Sequence, residues 1–274
     1  MSIRDNLTVV VGVDAKTMVQ FGASHRTWRR FHPWLFNVPW IVFYDWLDAI
    51  RIIAEIKQRQ RDGQFPAHAT LVRWPLPYPP EKMPQYESQR EKMLSGFCFV
   101  PPDFVKTDYW CKIDTDAVAL RESDWPREEW FAPDDLERTP DIVAPGWHYS
   151  KGAGYLDRLE EWGDTVPALA TKPRLEIPHK PDQLRVGHPR WCSWLSFYKT
   201  AWTRKVAGWL TETCGPGKLP VPSQDSTHWY AGERGGAFVR KVNFKKHGWT
   251  NVPKLAKLIE TCQAAMQGEA MIDA

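Results

Sequence analysis

The sequence predicts an α/β fold: a mostly parallel sheet flanked by helices, with a more irregular second half. Three observations carry this reading. Short β-branched and aromatic runs alternate with stretches of helical periodicity through the first 120 residues. The runs are nearly continuous in apolar character, as strands covered on both faces are. Acidic residues follow several of them directly.

The elements follow in order. Leu7–Val13 is the first strand. Thr17–Phe31 carries Met18, Phe21, Trp28 and Phe31 at near-helical spacing. Residues 39–45 form a second strand, and Leu47, Ile50, Ile53, Ala54 and Lys57 mark a helix that stops near Gly63. Residues 69–74 are a third strand, ended by Pro75, Pro77, Pro79 and Pro80. Residues 85–96 read as a helix, and Tyr109–Ile113 as a fourth strand. In the second half, strands are expected at 141–145, 191–198 and 237–242. Trp202, Val206, Trp209 and Leu210 place a helix, Ser223 caps a short one, and residues 253–267 form a last one. A glycine loop at 148–155 and a proline-rich stretch at 167–189 interrupt them.

The chain has 274 residues, 43% hydrophobic and 25% charged, which excludes wholesale disorder and allows a sizeable core. Its apolar runs are too short to span a bilayer, and no secretory signal is evident, so a cytoplasmic protein without a membrane span is expected. The net charge of +3 is nearly balanced and demands neither nucleic acid nor an anionic membrane. The five cysteines are scattered, with no C-x-x-C pair, which fits reduced thiols. The 16 tryptophans are expected to be mostly core and groove walls.

Ligands of open α/β sheets bind outside the carboxyl ends of the strands. Asp14, Asp45, Asp114 and Asp116 all stand at such ends and should line one crevice. In an extended segment Asp114 and Asp116 face one way and Thr115 the other. Two converging carboxylates suit Mg²⁺ or Mn²⁺ bridged to a diphosphate. The alternatives are a solvated pair of turn acids, or a haloacid-dehalogenase-like phosphatase, in which the first aspartate would be a nucleophile. That motif normally follows the first strand of its domain. Neither a P-loop nor a G-x-G-x-x-G motif occurs.

Taken together these features resemble the nucleotide-sugar glycosyltransferases of the GT-A fold, of the family-2-like kind. The likeness rests on the strand Leu7–Val13, the acid Asp45 after the second strand, the Asp114-Thr115-Asp116 triplet, and the downstream Gln224-Asp225. It implies a nucleotide-sugar-binding half at 1–120 and an acceptor-binding half at 121–274 of one GT-A-like domain. It implies that Val11, Gly12, Val13, Asp14 and Asp45 hold the nucleotide, with Asp114 at the donor. Asp114 and Asp116 would bind Mn²⁺ or Mg²⁺, with His247 completing the site and His228 a weaker candidate. Asp225 would be the catalytic base of an inverting transfer from a UDP-sugar. Gln224 stands where such enzymes often have a glutamate. The acceptor is left open among a saccharide, a protein and a hydroxylated DNA base. A nucleotidyltransferase shares the fold, but Gly12 to Thr17 is a poor phosphate loop. A carbohydrate- or nucleic-acid-binding protein on a degenerate transferase scaffold is the non-enzymatic alternative.

Overall fold

The computed structural model describes residues 2–15, 17–45, 48–74, 104–145, 194–205, 238–252, and 255, 257–260, 262 and 263. The readings made for 85–96, 148–155, 167–189 and 223–229 lie outside these residues.

Among the described residues seven strands form the main sheet: β1 (Leu7–Val13), β2 (Trp40–Asp45), β3 (Thr70–Trp74), β4 (Tyr109–Ile113), β6 (Ile142–Ala144), β7 (Leu195–Lys199) and β8 (Val239–Lys241), in the order β3-β2-β1-β4-β7-β6-β8. β1, β2, β3 and β4 run parallel. β7 is antiparallel to both β4 and β6, while β6 and β8 are parallel to each other. Two strands of three residues, β5 (Ala117–Ala119) and β9 (Trp249–Asn251), pair antiparallel in a second, small sheet. Neither is evident in the sequence.

Helix α1 (Thr17–Phe31) buries Met18, Phe21, Gly22, Ser24, His25 and Trp28, a stripe at helical spacing. Asp14 caps it. The Asp14 carboxylate accepts the Thr17 N–H at 2.7 Å, and the Thr17 hydroxyl accepts the Asp14 N–H at 2.7 Å. Helix α2 (Ala49–Arg61) starts later than expected, with Asp48 as its N-cap and the Ile52 N–H bonded to the Asp48 carbonyl. Arg59 of α2 lies against Gly22, where an added Cβ would meet the guanidinium at 2.6 Å.

The core lies between one face of the sheet and α1. It is built on Leu7, Val9, Val11 and Val13 of β1, with Phe21, Trp28, Trp40, Trp125, Phe197 and Trp249. These tryptophans are structural, as the composition implies. The Trp28 indole N–H donates to the Ala117 carbonyl at 2.7 Å, and its ring stacks on Trp40 with centroids 6.2 Å apart. His32 is buried flat against Trp249, with centroids 5.0 Å apart. Burial first, and then the charge of Arg4, push its pKa down to about 4.

Two outcomes follow from this core. Trp28→Ala leaves a large void and an unbonded carbonyl, and should cost about 3–5 kcal/mol in urea unfolding. Between its ordinary pKa and about 4, His32 takes up a proton in the unfolded chain but not in the folded one. Its contribution is therefore complete above the ordinary histidine range and lost as pH falls towards 4. Stability should be about 1–2 kcal/mol lower at pH 5 than at pH 7 on this account. His32→Phe should flatten that slope, leaving the smaller slope from His25, whose pKa burial also lowers.

Candidate functional site: an acidic turn at the carboxyl edge of the sheet

The register sets the parallel strand ends side by side. Val13 pairs with Tyr44, which puts Asp14 level with Asp45. Val10 pairs with Lys112, so the same register continued brings Asp114 level with Gly12. Asp14, Asp45 and Asp114 thus share the one edge expected of them.

They are not equally available. Val11 and Val13 belong to the core, so only their backbone can face a ligand. Gly12 is half-buried. Asp14 is 7% exposed, and its carboxylate is taken up by the α1 cap. Asp45 is fully buried at the end of β2. It is not the N-cap of α2, because Asp48 holds that position.

Asp114 to Ala117 is a tight turn rather than an extended run, closed by the Ala117 N–H on the Asp114 carbonyl at 3.0 Å. The expected sidedness survives this change. Thr115 is buried and its hydroxyl takes the Gln20 amide at 2.5 Å, while Asp114 and Asp116 are part-exposed. The turn is held from several directions. The Asp114 N–H donates to the Trp194 carbonyl at 2.8 Å, and the Val252 N–H to the Asp116 carbonyl at 2.9 Å.

Burial, then the neighbouring Asp114 charge, raise the Asp116 pKa to about 6, while Lys112 pulls it the other way. The two carboxylates are therefore close enough to repel. Lys112, 2% exposed, forms an ion pair with Asp114 Oδ1.

His247 is not brought to this pair, which corrects the sequence reading. Ala117 pairs with Asn251 and Ala119 with Trp249, so the continued register sets His247 opposite Arg121. The charges that act on its ring are those of Arg127, Glu129, Arg121 and Asp124, not those of Asp114 or Asp116. The His247 carbonyl accepts the Ser123 hydroxyl, and its ring meets the Trp130 ring edge-on at 4.8 Å. The sequence argument placed His247 past the last strand, but β9 follows it. Gly248, at φ 78°, makes the turn into β9, and an added Cβ would meet Arg121 at 2.7 Å. It is the residues after β9 that reach Asp116. Among the described residues no third His, Cys, Asp or Glu joins the two aspartates. Asp225 and His228 lie outside the described residues.

Neither a family model nor a curated protein matches the sequence. Solved structures do. Core-mannan synthase A from Aspergillus fumigatus, in a Mn/GDP form, aligns over 92% of this chain and 76% of its own, with TM-score 0.50 and 15% identity. The fold is GT-A. The galactosyltransferase LgtC, in complex with donor and acceptor sugar analogues, aligns over 87% of this chain and 74% of its own, with TM-score 0.46 and 12% identity. Mouse xyloside xylosyltransferase 1, in its apo form, aligns over 87% and 85%, with TM-score 0.46 and 9% identity.

In this GT-A sheet the acidic turn follows the central strand β4, which β1, β2 and β3 precede in the chain, and not a first strand as in the phosphatase alternative. Its chemistry fits a hard divalent cation. Mg²⁺ and Mn²⁺ need few protein carboxylates, since waters and phosphate oxygens complete their shells. Two mutually repelling carboxylates supply that need. Sequence reasoning passed over Lys112 and Gln20. The signal for Lys112 was present: it is the one charged residue in the run Tyr109–Ile113, two places before Asp114.

Because the folded state raises the Asp116 pKa, this group lowers stability as pH rises from its ordinary value through about 6. In the metal-free protein, Asp116→Asn should therefore melt above the wild type at pH 7.5. The difference should shrink towards pH 4, as differential scanning calorimetry would show.

Proposed function

We propose that the chain is a metal-dependent glycosyltransferase, moving a sugar from a nucleoside-diphosphate sugar, a UDP-sugar, to an acceptor hydroxyl with inversion. The observation that carries this is the pair Asp114 and Asp116 on a turn at the carboxyl edge of a GT-A sheet. The Mn/GDP form of the core-mannan synthase, which shares the fold, supports a divalent ion and a nucleoside diphosphate as the ligands.

Asp114 and Asp116 would hold Mn²⁺ or Mg²⁺. The ion, when bound, would offset the charge that grows on the departing diphosphate. Gly12, without a side chain, would let the nucleotide approach the backbone at the end of β1. At this end of the sheet Asp14 fixes the start of α1, and Asp45 is the buried last residue of β2. Asp225 would take the proton of the acceptor hydroxyl as that oxygen attacks the anomeric carbon. The acceptor would be a saccharide, a protein or a hydroxylated DNA base.

Thermal unfolding with UDP, GDP, CDP, dTDP and ADP, each with and without Mn²⁺, tests the donor site. A ligand at one hundred times its Kd adds about 2.7 kcal/mol. UDP should raise Tm only with Mn²⁺, and Asp116→Ala should abolish the rise. No shift with any diphosphate would overturn the reading. With a donor identified, Asp225→Asn should lower kcat by about 10²–10⁴-fold while leaving the Mn²⁺–UDP shift in place.

A further inference from the structure

Lys112 sits inside the sheet, paired with Val10 of β1 on one side and Ser196 of β7 on the other. An ammonium in such a place needs a charged partner. It has one in Asp114, through an ion pair whose lysine side chain is 3% exposed and whose aspartate side chain is 36% exposed. The charge thus comes from beneath the turn, while the carboxylate remains open above it. Apolar side chains fill the other four positions of β4, so the lysine is not an incidental surface residue.

We propose that Lys112 is the resident counter-cation of the acidic turn and keeps its hold on a bare divalent ion weak. The proposal rests on the donor-site reading above. Asp114 and Asp116 together carry two negative charges when ionised, and Lys112 cancels one of them. An incoming dication meets one net charge and must share Asp114 with an ammonium already in place. A positive charge this close to a ligand oxygen, shielded from water, weakens dication binding by tenfold or more. The site is thereby tuned to take the ion together with a diphosphate, whose negative charge the lysine also attracts. The same lysine keeps the two aspartates compatible with a folded protein while no ion is bound.

The test is isothermal titration of Mn²⁺ alone into the full chain and into Lys112→Met, with circular dichroism to establish folding. Lys112→Met should bind Mn²⁺ at least tenfold more tightly than the wild type, whereas Lys112→Arg should stay close to the wild type. A purely structural lysine would give the opposite sign, because a disturbed turn binds the ion more weakly. Lys112→Gln serves if the Met variant does not fold. Equal or weaker binding in the variants overturns the proposal, and so does the absence of Mn²⁺ binding to every chain. Titration of UDP with Mn²⁺ into the wild type separates the two ideas. If the wild type binds no Mn²⁺–UDP but Lys112→Met gains Mn²⁺, the lysine role stands and the donor reading falls. If the wild type binds Mn²⁺–UDP and the variants leave the affinity for Mn²⁺ alone unchanged, the donor reading stands and the lysine role falls.

Discussion

The hydrogen bond from the Trp28 indole to the Ala117 carbonyl is the contact on which the site depends most. It lies inside the core, where an unmet carbonyl is costly. The Trp28 ring also packs on Trp40 and Trp249, so one side chain ties α1 to β2, β5 and β9. Further contacts run along the same helix. Gln20 near its start takes Thr115, and Thr27 near its end takes the Ala119 N–H. The acidic turn is thus laid along a helix and held at several points. A site fastened to regular elements keeps its geometry better than one on a free loop.

The first four strands and α1 were legible because each repeats one signal often enough. β1 offers seven residues that are apolar apart from Thr8, and α1 four turns of a single stripe. The sharing of one edge by Asp14, Asp45 and Asp114 then followed from the topology of parallel sheets. β5 and β9 were not legible, since three residues are too few to show a period. The direction of β7 was hidden for another reason: a buried strand reads the same whether it runs parallel or antiparallel. The misplacement of His247 came from the unseen β9, after which Val252 returns to Asp116.

Local rules fail most visibly at the acidic turn, as they do at functional sites. A carboxylate that burial and a like charge both disfavour is retained at Asp116. A lysine is retained within a strand that is otherwise apolar. Each would be a poor choice for stability alone. Side by side they make an electrostatic arrangement that a cation and an anion can complete between them.

The antiparallel strand β7 has a consequence for how the protein assembles. It is the neighbour of β4, and the Trp194 carbonyl just before it receives the Asp114 N–H. Eighty residues of chain separate these two partners. The residue that follows β9, Val252, closes the other side of the turn from still further away. Closing such long loops costs entropy before any contact repays it, so contacts of this kind form late in folding. The strands β1 to β4 can gather early, because β2 and β4 flank β1 and β3 flanks β2 in one parallel array. The acidic turn takes its final form only when the last third of the chain has docked, so a chain emerging from the ribosome would acquire this site among its last features.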